Sequence, residues 1–235
     1  MKQRERQARM EIDQEQLHAY ARTFLPRWDC YSVQMPDGSY RAVKHDLALT
    51  IVEAHLKGHL TIGAYLLSAE NRANKLCLDA DDEAEWQGLI RLAADLHTQH
   101  VPTYLEHSRR GGHLWLFFDP LSGTDARRLG KWLKQHYHLE TVEFYPKQDE
   151  LRTGPGSLVR LPLGIHRKDN RRYHFVTPDG TPLAPTIREQ IAILAQPERV
   201  PKKFIEKTIK QIPKPKPFPP SSCKRSTEIK GVSSH

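Results

Sequence analysis

Apolar and polar positions along the chain follow two periods, and the places where one gives way to the other mark out its elements. Leu17, Tyr20, Ala21 and Phe24 recur at helical spacing and predict a first helix over residues 11–24. Short alternating stretches at 30–33 and 40–43 flank Asp37-Gly38, a turn signal, and read as strands. Leu49, Val52 and Leu56 predict a helix over 45–57 that ends at Gly58. Strands at 61–67 and 75–78 are separated by a turn at Asn71-Arg72, and the second runs straight into Asp79-Ala80-Asp81-Asp82. Asp81 or Asp82 can cap a helix whose face carries Trp86, Leu89, Ile90, Ala93 and Leu96.

The clearest strand spans 113–118, with His113, Trp115 and Phe117 on one side and Leu114, Leu116 and Phe118 on the other. A strand at 103–106 precedes it across the tight turn Ser108-Arg109-Arg110-Gly111-Gly112. Leu129, Trp132, Leu133 and His136 line a helix over 124–138. Strands follow at 141–145, 158–161 and 173–177, and Asp179-Gly180 turns the chain into a last helix over 185–195. Strand and helix alternate, yet some connections are hairpins. The expected class is therefore α+β, with mixed or antiparallel sheets flanked by helices rather than a doubly wound parallel sheet.

Composition adds a boundary. Of the net charge of +8, the ten basic and three acidic residues from Glu198 onward carry +7, so the rest of the chain is nearly neutral. That tail, rich in Pro, Lys and Ser, is expected to be largely disordered, at least beyond Ile212, with a short helix at 203–210. The expected organisation is an N-terminal helix at 1–25, a globular domain at 26–197 and a basic tail at 198–235. Such a tail suits a polyanion and also simple solubility, so it does not decide function. No apolar run approaches the roughly 18 to 20 residues that a membrane helix needs, and no apolar stretch follows the charged start. No membrane association is expected, and the expected compartment is the cytoplasm. Cys30, Cys77 and Cys223 lie far apart without a CxxC pair and read as reduced thiols. The thirteen histidines include His97/His100 and His136/His138, but neither pair has a third ligand, so structural zinc is not expected.

Three segments could carry chemistry. In LCLDADD, Asp79 and Asp81 are two apart at a strand end, so extended geometry projects both carboxylates from one face. Two such acids stay ionised cheaply only around a cation, and hard divalent ions with oxygen ligands suit them; capping of the next helix is the plainer use. In SRRGGHLWLFF, a turn of Arg and Gly brings guanidinium groups and backbone N–H groups beside His113. That set can hold a polyphosphate, or can be a hairpin with solvated arginines. In VEFYPKQ, Glu143 stands opposite in phase to Val142 and Phe144, one acid singled out on an apolar strand. LVRLPLGIHRK then groups Arg160, His166, Arg167 and Lys168.

Taken in order, these segments resemble the archaeo-eukaryotic primase superfamily, in the branch of primase-polymerases from prokaryotic conflict (TOTE) systems and CRISPR-associated relatives. LCLDADD matches its acidic motif, and SRRGGHLW resembles its S-G-x-G-x-H motif, placing Ser108, Gly111 and His113 on it. VEFYPKQ, VRLPLGIHRK and the earlier AHLKGHLTIGAYLL resemble later and earlier segments of that branch. The likeness runs over about residues 27–175. Arg109 stands where the second motif usually has Gly, and the third acid is Glu143 where Asp is commoner.

The resemblance implies a primase-like catalytic core with an RRM-like part, and a template-dependent nucleotidyltransferase, a DNA primase or polymerase working by two-metal catalysis. It implies that Asp79, Asp81 and Glu143 bind two Mg²⁺ or Mn²⁺ ions. Ser108, Arg110 and His113 would hold the nucleoside triphosphate, and Arg160, His166 and Arg167 would contact nucleotide or template phosphates. The implied partners are a DNA template and primer, with helicase, nuclease or reverse-transcriptase parts, in a mobile-element or defence setting. The competing reading is a non-catalytic nucleic-acid-binding subunit that works through the basic tail. A metal-dependent nuclease or a sugar-nucleotide transferase with a DxD motif is the third, and it leaves SRRGGH and LPLGIHRK without a role.

Overall fold

A computed structural model describes residues 12–214. Its first helix, α1 (Gln14–Phe24), is capped by Asp13, whose carboxylate accepts from the N–H groups of Glu15 and Gln16. Strands β1 (Tyr31–Gln34) and β2 (Tyr40–Val43) pair as a hairpin around Asp37-Gly38. Helix α2 (Leu49–Lys57) ends at Gly58, whose φ of 85° is the left-handed cap that glycine adopts without strain. Strand β3 (Ile62–Tyr65) joins β1, and β8 (Leu158–Arg160) joins β3, giving a four-stranded antiparallel sheet in the order β2-β1-β3-β8.

The larger sheet is built from β4 (Arg72–Ala80), α3 (Glu83–Thr98), β5 (Tyr104–His107), β6 (Gly112–Ser122), α4 (Gly123–His136) and β7 (Glu143–Tyr145). Its strands lie in the order β5-β6-β4-β7, all neighbours antiparallel, with β11 (Phe175–Val176) added outside β5. Strand–helix–strand–strand–helix–strand in this order is the split βαβ arrangement, the RRM-like part that the resemblance implied. A two-stranded ribbon, β9 (Ile165–His166) with β10 (Arg171–Arg172), was not legible in the sequence, because two-residue strands show no period.

The period-2 pattern of β4 and β6 sorts two cores. Leu76, Leu78, Leu114, Leu116 and Phe118 face α3 and α4, while Cys77, Trp115 and Phe117 face α1 and the four-stranded sheet. A bulge between Ala73 and Lys75 reverses the phase of β4 before it reaches the site. Two last helices complete the layers, α5 (Ile187–Ala195) against α1 and α6 (Lys202–Ile209) against α4. Val200, Ile205 and Ile212 are buried in the first core, and Arg128 donates to the carbonyls of Ile209 and Ile212. The boundary expected at 198 thus falls inside the folded part, which continues at least to Ile212. The rest of the expected tail, with Cys223, lies outside the described residues. Among those residues, no helix is long and apolar enough to cross a membrane.

One side chain in the second core is out of keeping with its surroundings. Lys75 on β4 is fully buried; its ammonium donates to Asn74 Oδ1 at 2.5 Å and meets no carboxylate among the described residues. Burial alone lowers its pKa to about 7. The folded chain therefore binds this proton less tightly than the unfolded one, and stability rises as pH climbs from about 7 towards 10.5. Lys75→Met should raise stability at pH 7 by about 1–3 kcal/mol and flatten that rise, as chemical denaturation at pH 7 and pH 10 would show.

Candidate active site

Register brings the separated motifs into one row. Across the antiparallel ladders Glu143 on β7 faces Asp79 on β4, Asp79 faces His113 on β6, and His113 faces Glu106 on β5. Residues directly opposite share a face, so all four side chains stand on the side of the sheet turned towards β8. Asp81 lies just past the end of β4. Its carboxylate is 61% exposed against 24% for Asp79, which places it at the rim and Asp79 deeper. Asp82, not Asp81, caps α3 by accepting from the Glu85 N–H at 2.9 Å. Asp81 is thereby left out of the cap.

Each of the three acids holds a protein cation. Asp81 pairs with Arg110, Glu143 with Lys147 at 2.6 Å, and Asp79 with His113 Nε2 at 3.4 Å. Tyr145 also donates its hydroxyl to Glu143 at 3.1 Å. The Lys147 bond holds the Glu143 carboxyl below its usual pKa. Burial works to raise that of Asp79, but His113, Arg160 and Lys147 outweigh it and hold Asp79 ionised. Among the described residues no three acidic, His or Cys side chains already converge as a metal cage. The donors nevertheless suit hard divalent ions: three carboxylates, two directly opposed across a ladder, each already neutralised by a cation.

Behind the row sits a buried ionic chain. Glu106, fully buried, accepts from His113 Nδ1 at 2.8 Å, from Trp115 Nε1 at 3.0 Å and from Arg160 Nη2 at 2.7 Å. Burial opposes its charge, but Arg160 and His113 keep it ionised. Carboxylates only accept, so Nδ1 of His113 donates to Glu106, while Nε2 stands 3.4 Å from Asp79 as the nitrogen of an ion pair. Burial would lower the His113 pKa, yet these two acids raise it to about 9. Arg160 Nη1 is buried and has no hydrogen-bond partner.

A cavity of about 380 Å³ opens here, a volume suited to a small ligand, and its lining includes Asp79, Asp81, Ser108, Arg110, His113, Arg160 and His166. Seven of the nine sequence-predicted residues thus share one cavity. Glu143 lies beside it through its pairing with Asp79. Arg167 points elsewhere: its guanidinium donates to the Gly58 carbonyl, and its backbone N–H donates to Gln34 Oε1, another residue of the lining.

The glycines of the Arg-Arg-Gly-Gly turn are required by packing within the protein. A Cβ at Gly111 would stand 2.4 Å from the Ala80 carbonyl oxygen, and one at Gly112 would stand 2.3 Å from the Trp86 ring. They let the turn pack on the end of β4, which is what sets Ser108 and His113 beside the acids. The Gly111 N–H faces Ser108 Oγ at 3.4 Å.

In LPLGIH, Pro162 receives hydrogen bonds from Tyr20 and from His55 Nε2, and a Cβ at Gly164 would collide with the His55 ring. His55 is fully buried, and its Nδ1 accepts the Ile62 N–H; burial lowers its pKa to about 3, so it is a neutral strut for this loop. Sequence reasoning missed Glu106. Its only signal is an acid following Leu105 on a strand next to that of His113.

The arrangement is a split βαβ sheet joined to a second antiparallel sheet, with the acid-and-histidine row on the face turned towards that second sheet. The chain belongs to the TOTE conflict system archaeo-eukaryotic primase domain family, whose model matches residues 11–208. No curated protein matches it. Among solved structures, the catalytic domain of primase RepB′ in complex with initiator DNA is similar at 15% identity and a TM-score of 0.41, covering 85% of this chain and 100% of that one. A longer chain of primase RepB′ gives 15% and 0.41 over 83% of this chain and 65% of its own. The polymerase domain of Mycobacterium tuberculosis ligase D in complex with DNA gives 11% and 0.30, covering 84% and 86%.

Proposed function

We propose that this domain is a template-dependent nucleotidyltransferase, a DNA primase or polymerase, that adds nucleotides at the row of Glu143, Asp79 and His113. One observation carries the reading: acids from two separate segments, Asp79 with Asp81 and Glu143, are brought together by strand pairing beside a cavity lined by Arg110, His113 and Arg160, where a buried guanidinium nitrogen lacks an acceptor.

Asp79, Asp81 and Glu143 would hold a pair of Mg²⁺ or Mn²⁺ ions. Bound there, such ions supply charge neutralisation for the triphosphate and lower the pKa of an attacking 3′-hydroxyl. The chain's own groups do the rest. Arg160 Nη1 offers a buried donor to a phosphate oxygen, and His113, charged through Glu106 and Asp79, offers a second cation. Arg110 and Lys147, once free of Asp81 and Glu143, can turn to the same triphosphate. Ser108 and His166 lie on the cavity wall, where they can contact the nucleotide. Arg167 ties the loop carrying His166 to Gly58 and so serves the site from outside it. Template and primer DNA are the partners this chemistry needs, with salt-sensitive binding through the surface lysines and arginines. The matched family is described as a TOTE conflict system domain, which supports a defence or mobile-element setting with helicase, nuclease or reverse-transcriptase partners.

Primer extension on a labelled template, with and without primer, in Mg²⁺ and in Mn²⁺, tests the reading. Incorporation should depend on the ion and on template sequence, and should survive truncation after Lys214. A cut at 197 is unsuitable, because it would strip buried Val200, Ile205 and Ile212 from the core. Metal-independent DNA binding that vanishes with the tail, without incorporation, would support a binding subunit instead.

A further inference from the structure

Glu106 lies at the junction of the two sheets. It is carried by β5 of the larger sheet, and it binds one side chain from each sheet: His113 on neighbouring β6 and Arg160 on β8 of the four-stranded sheet. Trp115 Nε1 supplies a third donor to the same carboxylate. It is fully buried, while the two polar groups it holds line the cavity. A buried acid with three donors, two of them cationic, fixes directions that flexible side chains would otherwise lose. Its Oε1 takes Arg160 Nη2, which leaves Nη1 as the unpartnered nitrogen; its Oε2 takes His113 Nδ1, which leaves Nε2 on the acid side of the cavity.

We infer that Glu106 is a positioning residue for the triphosphate, coupling the arginine of one sheet to the histidine of the other so that both present a single N–H to the phosphate chain. This rests on the nucleotidyltransferase reading and adds to it a residue that touches neither nucleotide nor metal ion. Two donors held by the two oxygens of one carboxylate suit adjacent phosphoryl groups of a phosphate chain. A nucleoside monophosphate would engage one of them.

The test uses the intact chain. Affinity for a non-hydrolysable deoxynucleoside triphosphate in Mg²⁺, and for the matching monophosphate, is measured by calorimetry for wild type, Glu106→Gln and Glu106→Asp. Glu106→Gln turns an N–H₂ towards donors and removes the charge. It should weaken triphosphate binding roughly 10- to 100-fold, the scale on which outer partners of a ligand-holding side chain act, weaken monophosphate binding clearly less, and leave DNA affinity within about twofold. Glu106→Asp, which keeps the charge, should restore part of the loss. Triphosphate affinity unchanged in a folded Glu106→Gln protein would overturn the inference, as would an equal loss for monophosphate.

If neither variant folds, the wild-type chain decides by ¹⁵N-histidine NMR. The His113 Nδ1 proton should be protected from exchange and stay in place when the triphosphate is added, while the Nε2 signal moves. A freely exchanging Nδ1 proton would overturn the inference. Wild-type incorporation alongside an unaffected Glu106→Gln sinks this inference alone; absence of incorporation by wild type sinks the reading beneath it.

Discussion

Asp79→Asn is expected to cut nucleotide incorporation at least ~10³-fold, a loss of about 4 kcal/mol of transition-state stabilisation, while the protein stays folded and keeps its affinity for primed DNA. Asp79 is the central member of the row, opposite both Glu143 and His113, and in the proposed site its carboxylate would share an ion with each of the other two acids. Asparagine preserves its volume and one acceptor oxygen but offers no charge to a divalent ion. Its 24% exposure and single long bond to His113 mean that little of the fold depends on it. The double variant Asp79→Ala with Asp81→Ala should show no incorporation above background. Rapid-quench primer extension in Mg²⁺ reads both. Wild-type rates in either variant would remove the acids from the chemistry and return them to plain ion pairs with His113 and Arg110.

Arg160→Met should give the largest combined effect on stability and ligand binding. The guanidinium is nearly completely buried, is bonded to a carboxylate with no exposure at all, and stacks over the Tyr173 ring at 5.8 Å. Removing it leaves Glu106 with His113 and Trp115 but without its main counter-charge. Breaking a buried pair from one side costs about 3–5 kcal/mol, which for a domain of this size lowers Tm by roughly 10 °C. Arg160→Lys should recover part of the stability and little of the triphosphate affinity, because an ammonium cannot serve Glu106 and a phosphate through two separate planar N–H groups. Thermal unfolding together with triphosphate titration separates the two losses. A lysine variant with full affinity would show that only the charge matters.

The parts of the site that follow a strand's two-residue period were legible in the sequence. Asp79 ends an apolar strand, His113 begins another, and Glu143 alternates against Val142 and Phe144, so each could be assigned a face before any pairing was known. The larger core followed for the same reason, since Leu114 to Phe118 and the helix faces of α3 and α4 carry their burial in their spacing. What stayed hidden depends on contacts between distant segments. Glu106 reads as a solvated strand acid until β8 brings Arg160 over it. That Gly111 and Gly112 are needed for the turn to pack on Ala80 and Trp86 shows only once the fold is assembled. Arg167 belongs to the same basic run as His166, yet a carbonyl more than a hundred residues earlier in the chain turns it away. The basic composition after Glu198 concealed Val200, Ile205 and Ile212, three apolar residues that suffice to dock a helix.

Whether Asp79, Asp81 and Glu143 act together as ligands of divalent ions is decided by Mn²⁺ binding followed by electron paramagnetic resonance. The intact chain, titrated with Mn²⁺ beside a non-hydrolysable triphosphate, should take up a pair of ions, and Asp79→Asn combined with Glu143→Gln should abolish that uptake while the free triphosphate's own ion remains. Equal Mn²⁺ uptake by the wild type and the double variant would contradict the account.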